Sequence, residues 1–135
     1  MSSLFYICVF VGIVACAAAL DCNHGVTDGC SIPLGMPFFY KSRFRHACDK
    51  HDICYHCGVS HGVSKHQCDV RLYHNAISVC HSAGKRFIFD MDAVTKQFCD
   101  SIAKAYYSAV NIFGSGSYHN SPDHYCHSSW VPHCI

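Results

Sequence analysis

The run CDKHDICYHCG, residues 48–58, carries its reactive side chains at helical spacing. Wound as a helix, it points Cys48, His51 and Tyr55 in nearly one direction, because steps of three and four residues almost close a turn. Asp52 lies about 100° around from His51. One face therefore offers an imidazole, a phenol and a cysteine able to tie the helix to a neighbour, with a carboxylate beside them. The spacing predicts a helix over about 44–57, stopped by Gly58.

Downstream, a second helix is expected over about 64–83, with Ser64 as N-cap and Gly84 as its C-terminal signal. A third is expected over about 92–113, ended by Gly114. Phe98, Ile102, Ala105, Tyr106, Ala109 and Phe113 recur along the third at helical spacing, as a core stripe would. Leu72, Tyr73, Ala76 and Cys80 form such a stripe on the second, and Asp69 lies on it one turn upstream. Gly25, Gly29, Pro33, Gly35 and Pro37 make 20–43 a loop, and the tail after Gly114 is rich in turn residues. No long alternating run signals a sheet, so the expected fold is all-α, with three main helices in a small disulfide-stapled domain.

The first nineteen residues contain no Asp, Glu, Lys or Arg and close on Ala17, Ala18 and Ala19. This reads as a cleaved signal peptide over 1–19, leaving one domain over 20–135 that is secreted and extracellular. Beyond Cys8 and Cys16 in that segment stand Cys22, Cys30, Cys48, Cys54, Cys57, Cys68, Cys80, Cys99, Cys126 and Cys134. An even, dense set in a small secreted chain predicts five disulfides. A formal net charge of +1 argues against a nucleic-acid partner.

Two plainer readings compete at residues 48–58. Cys54 and Cys57 followed by His61 and His66 loosely match zinc-finger spacing, but in an oxidising compartment disulfides are favoured. An isolated His-Asp pair is most often a structural histidine beside a surface aspartate.

The combination of motifs favours a third reading. The run Cys48-x-x-His51-Asp52-x-Cys54-Tyr55 resembles the active-site helix of the secreted phospholipases A2. The run DGCSIPLGMPFFYKSRFRHAC, residues 28–48, resembles the calcium loop and linker of the conodipine-type enzymes from venoms and of the bacterial enzymes. The run AYYSAVNIFG, residues 105–114, resembles the last helix of the bacterial ones. The resemblance implies calcium-dependent hydrolysis of the sn-2 ester of glycerophospholipids, with a phospholipid membrane or micelle surface as substrate. It makes His51 the general base, Asp28, Asp52 and the carbonyl of Gly29 calcium ligands, and Tyr55 the support of the base's carboxylate partner. It also implies the pairs Cys30–Cys48 and Cys80–Cys99. The glycine-rich loop and doubled cysteine of the pancreatic type are missing, as in the conodipine and bacterial types.

Asp69 and Asp100 compete to be the partner of His51. Asp100 follows Cys99, as in the pancreatic-type pair, but lies opposite the expected stripe of its helix. Asp69 sits on an apolar stripe, where a carboxylate is costly unless hydrogen-bonded or paired. It also stands eleven residues before Cys80, as the dyad acid does in the bacterial enzymes, so Asp69 is the expected partner. Leu34, Met36, Phe38 and Phe39 suit either a membrane-docking patch or core packing. Lys85-Arg86 stands in the expected loop between the second and third helices. A cut after Arg86 would give a two-chain form held by Cys80–Cys99, as the conodipine type is known.

Overall fold

The computed structural model of the chain describes residues 21–31, 40–82 and 93–135. The expected signal peptide, the apolar linker around Phe38 and the Lys85-Arg86 pair lie outside them. Three helices dominate: α1 over Arg45–Cys57, α2 over Lys65–Ser82 and α3 over Ala93–Phe113. Short 3-10 turns follow α1 and α3 and recur in the tail, and no strand occurs among the described residues. The all-α expectation holds at this level.

The start of α2 follows from its sequence. Gln67 donates its amide N–H to Ser64 Oγ at 3.2 Å, and Ser64 donates its own to Gln67 Oε1 at 2.9 Å. This reciprocal pair is a capping box, satisfying two amides that the first helical turn would leave without partners. α1 ends at Cys57 with Gly58 as its C-cap, as expected, although Gly58 keeps a right-handed backbone, φ −54° and ψ −42°. The chain continues through a 3-10 turn, Gly58–His61, and ends at Gly62, whose φ of 67° is the left-handed conformation glycine adopts without cost. Gly58 is needed for another reason: a Cβ there would lie 2.7 Å from the carbonyl oxygen of Val63.

α2 packs against both other helices. Its buried face is Cys68, Asp69, Leu72, Ala76 and Cys80, as the stripe predicts, with Tyr73 half-buried at its edge. α3 corrects its own expectation. Phe98, Ala105 and Phe113 are exposed, and the side actually buried carries Cys99, Ala103, Tyr106 and Ala109. The reason is covalent. Cys99 is bonded to Cys80 of α2, so α3 must turn that side inward, and its many apolar residues allow a core stripe in more than one rotation. Phe44 completes this core against the edge of Tyr106, ring centroids 5.5 Å apart.

Five disulfides fasten the elements. Cys30–Cys48 ties the loop before α1 to that helix and Cys80–Cys99 joins α2 to α3, the two pairs that the resemblance implied. Cys54–Cys68 joins α1 to α2, Cys57–Cys126 joins α1 to the tail, and Cys22–Cys134 joins the two ends of the described chain. Cys54 and Cys57 are thus consumed, and His61 hydrogen-bonds the carbonyl of Cys126. The finger-like zinc reading is overturned.

Candidate active site

The two sides of α1 do different things. Four residues apart on one side, His51 and Tyr55 face α2, and their rings lie 4.0 Å apart, centroid to centroid. Opposite them on α2 stands Asp69, with no exposure to water. His51 Nε2 lies 2.9 Å from Asp69 Oδ1, and the Tyr55 hydroxyl donates to the same oxygen at 2.6 Å. Lys65, one turn earlier on α2, donates from Nζ to Asp69 Oδ2 at 2.7 Å and to the carbonyl of Val110 at 3.0 Å.

These donors settle the charge of Asp69. Burial alone would raise its pKa, but the bonds from His51, Lys65 and Tyr55 outweigh it and hold the carboxyl below the usual range. An ionised carboxylate only accepts, so His51 carries its ring proton on Nε2 and leaves Nδ1 as the basic nitrogen. Burial and the adjacent Asp69 push the Tyr55 phenol upward, so it remains a donor.

Asp100 is placed elsewhere. His81 of α2 meets both of its oxygens, at 3.0 and 3.1 Å, in a half-exposed pair at the far end of α2 and α3. It is Asp69 that stands beside His51.

Around from His51, Asp52 faces the loop that Cys30–Cys48 holds against α1. The backbone N–H of Asp28 donates to Asp52 Oδ2 at 3.2 Å. Burial, a hydrogen bond shared with the Asp28 carboxyl and the negative charges of Asp28 and Asp49 push Asp52 up to about 8. Carboxylates crowded in this way are relieved by a cation between them, and hard oxygen donors fit a divalent calcium ion. Gly29 turns the loop there with a φ of 76°. Its carbonyl accepts from the Ser31 N–H at 3.0 Å, which leaves its second lone pair for another partner.

Both sides of α1 open into one cavity of about 660 Å³, lined by Asp28, His51, Asp52 and Tyr55, with Val110 and Phe113 as apolar wall. Of the residues singled out in the sequence, His51, Asp69 and Tyr55 form one hydrogen-bonded group, and Asp28 and Asp52 a second, across the same helix. Two participants were missed. Lys65 was signalled by its place four residues before Asp69 on a helix, the spacing of an ion pair. Asp49, buried one turn before Asp52, gave no sequence signal beyond its position on α1.

No protein-family model matches the chain, and no solved structure matches it. The chain is 29% identical to Conodipine-P1 of Conus purpurascens over 146 residues, covering 78% of this chain and 81% of the relative. It is 39% identical to Conodipine-P3 of the same species over 69 residues, which is 49% of this chain but only 38% of that protein. Against the Conodipine-M alpha chain of Conus magus it is 35% identical over 54 residues, 40% of this chain and 69% of that one. These likenesses show that the chain belongs to the conodipine family.

Proposed function

We propose that the protein is a secreted, calcium-dependent phospholipase A2 that hydrolyses the sn-2 ester of glycerophospholipids. The observation that carries this reading is a single cavity joining His51, backed by the buried carboxylate of Asp69, to the crowded pair Asp28 and Asp52. A tethered base beside a cation site suits attack of water on an ester. The conodipine relatives and five disulfides, which form in oxidising compartments, support the same reading.

In this mechanism His51 Nδ1 accepts a proton from a water as the water oxygen bonds to the ester carbonyl carbon. Asp69 holds the ring through Nε2 and stabilises the imidazolium that forms, while Tyr55 and Lys65 fix Asp69 in turn. As the bond between that carbon and the sn-2 oxygen breaks, the imidazolium returns its proton to the leaving alkoxide. The products are a fatty acid and a lysophospholipid. Asp28, Asp52 and the Gly29 carbonyl are the residues that would hold calcium. When bound, calcium supplies the positive charge that polarises the ester carbonyl and anchors the phosphate. Val110 and Phe113 offer the acyl chains an apolar wall.

Hydrolysis of phosphatidylcholine vesicles, titrated with calcium, tests the reading. Release of sn-2 fatty acid should require calcium, and His51→Gln should lower it by about 10²–10⁴-fold while keeping the fold. Calcium binding without hydrolysis would instead make the chain a silent binding scaffold.

A further inference from the structure

Away from Asp28 and Asp52, a second group of donors has a different chemistry. His56 Nδ1 lies 2.6 Å from Asp123 Oδ2, and His119 Nδ1 lies 3.1 Å from Asp123 Oδ1. The two imidazoles stack with centroids 4.2 Å apart, and the three donor atoms all lie within 4.8 Å of one another. We propose that His56, His119 and Asp123 form a zinc site that clamps the C-terminal segment to the last turn of α1.

The donor set is two imidazole nitrogens and one carboxylate oxygen, which suits zinc with water in the fourth position and does not suit calcium, a cation of all-oxygen sites. A tetrahedral zinc with bonds of about 2.0–2.1 Å spaces its ligand atoms about 3.3 Å apart. The two nitrogen–oxygen separations, 2.6 and 3.1 Å, both fall short of that distance by less than 1 Å, so small side-chain rotations suffice to open them. The backbone is also held in advance. His56 adjoins Cys57, whose disulfide partner Cys126 donates its amide to the carbonyl of Asp123 at 3.0 Å. The amide of His119 donates to the carbonyl of Tyr55 at 3.0 Å, one residue before His56.

An ion has a route in, since the side chains of His56 and Asp123 are 31% and 30% exposed and that of His119 is 39% exposed. Zinc entry moves each ring proton to Nε2 and frees Nδ1 to bind. His56 and His119 also line the cavity that holds His51 and Asp52, so the clamp would form part of its wall.

Calorimetric zinc titration of the oxidised, disulfide-bonded protein in excess calcium chloride tests this. Excess calcium occupies the oxygen-donor pair, and the readout is binding, so the outcome does not depend on whether the chain hydrolyses lipid. Wild-type protein should take up one zinc saturably and gain thermal stability from it. His119→Gln and Asp123→Asn should each weaken uptake at least about tenfold, since loss of a ligand costs no less than loss of a supporting contact. His127→Gln, outside the group, should bind as wild type does. Asp123→Asn nearly preserves the side-chain shape, so it serves if His119→Gln fails to fold. Bound cobalt in wild-type protein supplies a second readout through the visible absorption of a nitrogen-ligated ion. No uptake by wild type, uptake unchanged in Asp123→Asn, or a cobalt spectrum of the hydrated ion would each overturn the site.

Discussion

Asp69 is a carboxylate shut off from water and held by three donors, and its charge has a consequence for stability. Its folded pKa lies below the unfolded value of about 3.9. The ionised group therefore stabilises the fold above that pH, and the contribution is lost as pH falls through the depressed folded value. Urea midpoints recorded between about pH 5 and pH 2 should fall more steeply for wild type than for Asp69→Asn; parallel profiles would show that Asp69 carries no such linkage. Asp100, half-exposed and paired with His81, should leave hydrolysis within a few-fold of wild type when changed to Asn, whereas Asp69→Asn should cripple it. Tyr55 is constrained from the other side by Gly114. A Cβ at Gly114 would stand 2.5 Å from the Tyr55 hydroxyl, and one at Gly116 would meet nothing within 4 Å. Gly114→Ala should thus cost about 1–3 kcal/mol by overpacking, read from urea unfolding, and Gly116→Ala far less.

At the scale of an element, α2 is the organising piece. It supplies Asp69 and Lys65, packs against both other helices and carries two half-cystines. Its first turn places Lys65, which reaches the carbonyls of Val110 and Asn111 at the C-terminal end of α3. There a cation meets acceptors that the helix itself cannot satisfy, in the favourable sense of the helix dipole. The capping box therefore supports the candidate site as well as the helix. Ser64→Ala should destabilise the protein by about 1 kcal/mol in urea unfolding. An unchanged midpoint would mean that the Ser64–Gln67 pair adds nothing measurable.

For the whole molecule, the disulfides act together. Cys22–Cys134 spans 112 residues, and taken alone a loop of that length predicts about 4.8 kcal/mol of stabilisation by chain entropy. Yet Cys30–Cys48 and Cys57–Cys126 already shorten the path between its ends. By way of those bridges the loop is roughly 25 residues, for which the same relation predicts about 3.5 kcal/mol. Replacing Cys22 and Cys134 with serine should lower stability by about the smaller figure in urea unfolding. A loss at the larger one would show that the inner bridges do not constrain the unfolded chain as drawn.

Local spacing by itself determined the three helices, the capping by Ser64, the core stripe of α2 and the common face of His51 and Tyr55, because each depends on residues within a turn or two of one another. The position of Asp69 was legible for a related reason: a carboxylate on an apolar stripe needs a partner wherever the stripe is buried. The rotation of α3 was not legible, since its apolar residues surround much of the helix and only the bond from Cys99 to Cys80 selects a side. Nor was the meeting of His56 with Asp123, 67 residues away. Their approach depends on the path of the tail and on which cysteine Cys57 takes, and tertiary structure alone decides both, because ten cysteines admit many pairings that no local pattern can rank.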